Sequence, residues 1–195
     1  LVERLERLPE DDPQIAVLLD IAGSMIGSAE EPLVEKLVTF LLRGCASPTA
    51  VIQKRSYRTL ATLLQLEHPL LHRPETIAAL MQTLADTVTL TDPAARKERF
   101  RVYLALPDDA VLFTGDDQLL ATILPEVVLA VKDVNQRTRQ EAFDLVARLG
   151  RLAAGADRLD AFLGMAMAGL AAKTPTMISA TVMVLARLAF DHSED

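Results

Sequence analysis

The sequence predicts an all-α protein, an α-solenoid of about four to five helix pairs, and three observations predict it. Leu and Ala dominate the 195 residues, while aromatics make up 4% and Trp is absent, a composition that suits helices because strands favour β-branched and aromatic residues. Apolar positions recur at helical spacing between regularly placed breakers. The residues that open the second helix of successive pairs, Pro48, Pro93, Asn135 and Pro175, stand 45, 42 and 40 residues apart, a period that belongs to arrays of helix pairs. With 50% hydrophobic and 24% charged residues, the chain is too apolar to be intrinsically disordered.

The elements follow in order. Gln14 to Met25 forms a helix after Pro13, and Pro32 sits at the first turn of a second that runs from Leu33 to Leu42 and closes at Gly44. Ser47-Pro48 opens a third, in which Tyr57, Leu60, Ala61 and Leu64 make one buried stripe before His68-Pro69 ends it. Helices are then expected over Pro74 to Val88, Ala94 to Leu106, Asp117 to Val131, Asn135 to Leu149, Arg158 to Ala172 and Pro175 to Phe190. In the third pair, Pro125 is followed by Asp133, Arg139 and Ala142. That layout resembles the HEAT-repeat consensus. The last helix is apolar nearly all round from Met177 to Ala186, and a solenoid leaves such a face for a neighbour to cover. The expectation is a single HEAT array over 1–195, an excerpt of a longer chain with further repeats beyond.

Material for catalysis is sparse. Cys45 is the single cysteine, which excludes an internal disulfide and a thiolate-rich zinc site and fits a reducing, intracellular compartment; it reads as a small buried hydrophobe. His68 and His72 are four apart, but Pro69 between them argues for a loop over a metal site. His192 lies in a polar tail. The acid pairs Asp108-Asp109 and Asp116-Asp117 follow breakers where helices begin, so they are expected to cap orphan N–H groups. The dispersed glycines make no phosphate loop; Gly164, Ala168 and Gly169 are expected to permit close helix contact. No catalytic residue, metal or cofactor is expected. The longest uncharged apolar runs fall short of a membrane span.

Charge carries the functional content. The formal net charge is −7, yet Val51 to Arg73 sums to +3, Asp92 to Leu104 to +2 and Lys132 to Arg151 to +2. Basic and acidic surfaces are therefore expected to be segregated. The clusters are Lys54, Arg55 and Arg58, then Arg96, Lys97, Arg99 and Arg101, then Lys132 and Arg137. Each falls near the start of the second helix of its pair, so stacking would align them as a ladder for phosphates or an acidic partner. Arg139 is set apart as an interior residue expected to pair with an aspartate such as Asp133. Tyr57 and Phe100 suit buried positions better than stacking platforms.

Leu124-Pro125-Glu126-Val127-Val128, Lys132-Asp133-Val134-Asn135 and Thr174-Pro175-Thr176-Met177-Ile178-Ser179-Ala180-Thr181, with Gln53-Lys54-Arg55-Ser56-Tyr57-Arg58 earlier, resemble the HEAT domain of the ribosomal RNA processing protein 12-like family. The likeness runs from about Asp11 to Phe190. It implies a non-enzymatic nuclear and nucleolar factor that rides on pre-ribosomal particles, contacts pre-ribosomal RNA, assembly factors and nuclear transport components, and assists subunit maturation and export. It supplies no site motif, so the binding residues rest on charge and repeat position. A protein-binding solenoid of the transport-receptor or phosphatase-scaffold type, with no RNA role, is the alternative.

Overall fold

The structure, a computed structural model, describes residues 1–9, 11–108, 110 and 117–191, and among these every regular element is helical. The helices are α1 (Val2–Arg7), α2 (Gln14–Met25), α3 (Glu31–Cys45), α4 (Ala50–Gln65), α5 (Pro74–Asp86), α6 (Pro93–Ala105), α7 (Asp117–Ala130), α8 (Gln136–Gly155), α9 (Leu159–Met167) and α10 (Pro175–Asp191), with 3₁₀ turns at Ile26–Ser28, Pro69–His72 and Ala168–Ala171. Two compact units result, Leu1–Pro107 and Asp108–Asp195.

Breakers act as the sequence predicts, by supplying caps. The Asp92 carboxylate accepts from Ala94 N at 2.8 Å, and Pro93 occupies the first turn of α6 where its missing N–H costs nothing. The Asn135 side chain accepts from Arg137 N at 2.9 Å and Thr138 N at 3.4 Å to start α8. Ser47 Oγ accepts from Thr49 N ahead of α4, so that helix begins at Ala50 and Ser47-Pro48 forms the turn before it.

Three elements differ from expectation. α1 forms because Val2 and Leu5 bury themselves, the helix packing on α3. α8 passes through Gly150 to Gly155, since Leu145, Leu149 and Ala153 continue one buried stripe beyond it. Arg158 to Ala172 is not one helix: α9 ends at Met167 and the chain tightens into a 3₁₀ turn. There Gly169 lies so close to Thr181 of α10 that a Cβ would collide with its hydroxyl, whereas Gly164 faces open space. The close contact expected of Gly164 is therefore absent, and that of Gly169 is present.

In the first unit, α4 packs most extensively on α6 and also on α2, making one layer, while α3 contacts α1 and α5 in a second layer and α4 joins the two. Ile15, Leu19, Leu41, Leu60, Leu63, Leu71, Leu84 and Phe100 form its interior, each such side chain contributing about 1.5–3 kcal/mol of burial. The second unit packs α7, α8 and α10 on one another, with α9 against all three, around Val127, Val131, Val146, Phe162, Val184 and Leu188. α10 turns Ala180, Thr181, Val184 and Leu188 inward and leaves Ile178, Val182, Ala186 and Phe190 exposed on one stripe. Among the described residues, no helix is long and apolar enough to cross a membrane.

Candidate functional site

Among the helices of the first unit, α4 and α6 carry most of the cations. On α4, Ile52, Tyr57, Leu60 and Leu64 point inward, which leaves Lys54, Arg55 and Arg58 half-buried on the helix flank. Gln53 is buried and clamps the approach to α6, its Nε2 donating to Leu90 O at 2.9 Å and its Oε1 accepting from Asp92 N at 2.8 Å. The clamp sets the start of α6 relative to α4, and with it the second basic cluster.

That cluster divides within one turn. Arg99 is 0% exposed. Its Nη1 donates to Tyr57 Oη at 3.1 Å and Thr87 Oγ1 at 2.7 Å, its Nη2 donates to Leu84 O at 2.5 Å and Tyr103 Oη at 2.7 Å, and the guanidinium lies 5.7 and 5.2 Å from the Tyr57 and Tyr103 ring centres. Cation–π attraction and a full set of acceptors keep the charge tolerable inside. Arg99 is therefore not a surface ligand, contrary to the charge reading: its position on α6 faces the core, with Ala95 and Tyr103 one turn away on the same buried side. Tyr57 and Phe100 are buried as expected, and burial pushes the Tyr57 phenol up, with Cys45 adding to the rise and Arg99 opposing it.

Glu98, the next residue, is a buried acid that the cation count overlooked. Its side chain is 1% exposed, and three cations reach it: Lys97 Nζ at 3.3 Å, Arg101 Nη1 at 3.3 Å and, from α4, Arg58 Nη2 at 3.5 Å. Burial alone would raise the Glu98 carboxyl. The charges of Lys97, Arg58 and Arg101, with a hydrogen bond from Lys97, outweigh it and hold the group below the ordinary glutamate range. Asp20 of α2 takes Arg55 Nη2 at 3.1 Å and Arg58 Nη1 at 3.9 Å, and Arg55 Nε is buried without an acceptor. The signal for Glu98 was present as a lone acid at i,i−3 from Arg101 inside a run of cations.

Arg58, Lys97 and Arg101 are thus brought together, with Arg55 one bridge away through Asp20. Lys54 and Arg96 sit half-buried on the same two helices. Lys132 and Arg137 are exposed in the second unit, Lys132 Nζ donating to Ser179 Oγ at 2.7 Å. Arg139 is half-buried and not interior as expected: its Nη1 donates to the main-chain oxygens of Asp133 at 2.7 Å and Val134 at 3.2 Å, which joins it to Asp133 through the backbone.

Of the remaining candidates for chemistry, Cys45, His68 and Asp108 have structural roles, and His72 is exposed at the end of the 3₁₀ turn. Cys45 is buried, which pushes its thiol up and keeps it protonated at neutral pH. His68 Nδ1 accepts from Leu70 N at 3.3 Å, capping the 3₁₀ turn. Asp108 pairs with Arg148. Asp109, Gly115, Asp116 and His192 lie outside the described residues. Among those described, no group of three His, Cys, Asp or Glu could hold a metal.

No family model matches the chain. Its similarity to curated proteins is specific nonetheless. It is 24% identical over 151 residues to ribosomal RNA-processing protein 12 of Schizosaccharomyces pombe, covering 72% of this chain and 13% of that protein. It is 25% identical over 181 residues to the RRP12-like protein of Homo sapiens, covering 89% of this chain and 14% of that one. The chain thus spans about a seventh of the length of these relatives. The crystal structure of an engineered protein shares the fold at a TM-score of 0.57 and 20% identity over 96% of this chain. The chain is an all-α solenoid similar, over most of its length, to a segment of the ribosomal RNA-processing protein 12 proteins, as the motifs at Leu124 to Val128 and Thr174 to Thr181 implied.

Proposed function

We propose that the chain is one non-catalytic helical-repeat array over 1–195, a scaffold in ribosome biogenesis that binds pre-ribosomal particles through pre-ribosomal RNA and assembly factors. On this reading it acts in the nucleus and nucleolus and assists subunit maturation and export. The observation that carries the proposal is the convergence of α4 and α6 cations on one surface whose central acid is buried. An approaching polyanion meets Arg58, Lys97 and Arg101, and Glu98 is screened behind them. Relatives named for ribosomal RNA processing supply the class of particle.

The test is charge reversal of Lys54, Arg55 and Lys97 to Glu in the chain, read by RNA binding over a salt series. Binding is expected to weaken, with the slope of log affinity against log salt falling by about one per cation removed, while circular dichroism stays helical. Unchanged binding by a folded variant overturns the RNA reading. It would favour a protein-binding solenoid, for which the observation is the exposed apolar stripe Ile178, Val182, Ala186 and Phe190 on α10.

A further inference from the structure

Three cations around one carboxylate make an ordinary ion-pair network when all four groups share the surface. Here exposure is unequal. Glu98 is 1% exposed, while the side chains of Arg58, Lys97 and Arg101 are 39%, 24% and 37% exposed. The acid is withdrawn and the cations present themselves. They also come from two helices, Arg58 from α4 and the other two from α6, so their mutual placement depends on the anchor between them. Long cationic side chains left alone sample many rotamers and lose that freedom when a ligand immobilises them. A shared buried carboxylate fixes their orientation before any ligand arrives. Asp20 and Arg55 extend this set of contacts onto α2 and along α4.

We propose that Glu98 is the positioning residue of a phosphate-binding site in which Arg58, Lys97 and Arg101 are held together for the backbone phosphates of an RNA strand. This rests on the reading of the α4 and α6 surface as an RNA surface, and deepens it from a diffuse basic patch to a built site. The ligand is the phosphodiester backbone, because the groups that converge are cations, and the aromatic side chains of α4 and α6, Tyr57, Phe100 and Tyr103, are buried and offer no stacking platform. Binding is therefore expected to be indifferent to base sequence.

The site predicts an effect opposite in sign to simple electrostatics. Glu98→Gln raises the net charge by one, so a diffuse patch would bind RNA more tightly. A positioned site binds less tightly, because the cations lose their common anchor. The measurement is fluorescence anisotropy of a labelled oligouridine with the chain across a salt series. Expected for Glu98→Gln is weaker binding at every salt concentration. Equal or tighter binding overturns the site.

Since Glu98 is buried, the variant is first melted to confirm folding, and a second measurement stands apart from it. Arg58→Gln, Arg101→Gln and the double variant form a cycle on half-buried side chains that reach solvent. One site predicts losses in log affinity that fail to add, whereas independent surface charges add. Additive losses overturn the proposal. The underlying RNA reading is separated by Lys54→Glu with Arg55→Glu: if that pair weakens binding and Glu98→Gln tightens it, only the positioning role fails. If the pair is silent while Glu98→Gln weakens binding, the site stands and the wider surface fails. If no variant alters binding, both fail.

Discussion

Glu98 and Arg99 are neighbours in the chain, both buried, and opposite in what surrounds them. Glu98 sits among cations that face solvent, and Arg99 sits among phenols, a threonine hydroxyl and the Leu84 carbonyl. Arg99→Met is expected to destabilise the first unit by about 3 kcal/mol, since it leaves several buried polar groups without their donor. The check is a urea titration, in which the midpoint falls while the slope m is unchanged, alongside RNA affinity that the folded protein retains. Stability left intact with RNA binding lost would place Arg99 on the ligand after all. The basic character of Arg96 to Arg101 was legible in the sequence, whereas its division between surface and core was not. Charge counting treats each cation alike, and only the 100° step of the helix, which groups Arg99 with Ala95 and Tyr103, separates it from Arg101. The buried acid was missed for the same reason, its charge having entered a sum instead of a position.

Helices in each unit approach closely where a glycine meets a hydroxyl. Gly44 of α3 lies against Ser56 of α4, and Gly169 lies against Thr181 of α10. Ser56 Oγ and Thr181 Oγ1 are buried without hydrogen-bond partners, so both hydroxyls are held by packing. Gly169→Ala is expected to cost about 1–3 kcal/mol through overpacking. Gly164→Ala, at an exposed position inside α9 with open space around it, is expected to gain about 0.5–1 kcal/mol. Paired thermal melts check this, and equal shifts for the two would remove the contact as an organising feature. Element starts were legible because Asp92, Asn135 and the prolines act through local chemistry that a sequence states directly. Element ends were less so. Gly150 reads as a stop, but α8 continues because residues on either side of it are buried by other helices, a tertiary effect that no local window contains. The same holds for α1, whose short amphipathic segment is stabilised by packing on α3.

Taken whole, the chain is acidic, with a net charge of −7, and yet its proposed ligand is a polyanion. The two are compatible only if position outweighs total charge. The Debye length is about 8 Å at 0.15 M salt, and packed helices stand about 8–10 Å apart, so an acid in the opposite helical layer is largely screened from a ligand on α4 and α6. Glu30, just before α3, and Glu35 on α3 belong to that opposite layer and are exposed. Glu30→Gln with Glu35→Gln raises the net charge by two and is expected to leave RNA affinity within about twofold at 0.15 M salt. Lys54→Gln with Lys97→Gln lowers it by two and is expected to weaken binding, with a salt slope reduced by about two. Anisotropy on the two double variants decides the matter. Shifts of equal size and opposite sign would mean that the molecule's total field governs its contact with RNA, and the α4 and α6 surface would then have no privileged role. An effect confined to the lysine pair would locate recognition on that surface and explain how an acidic solenoid holds a nucleic acid.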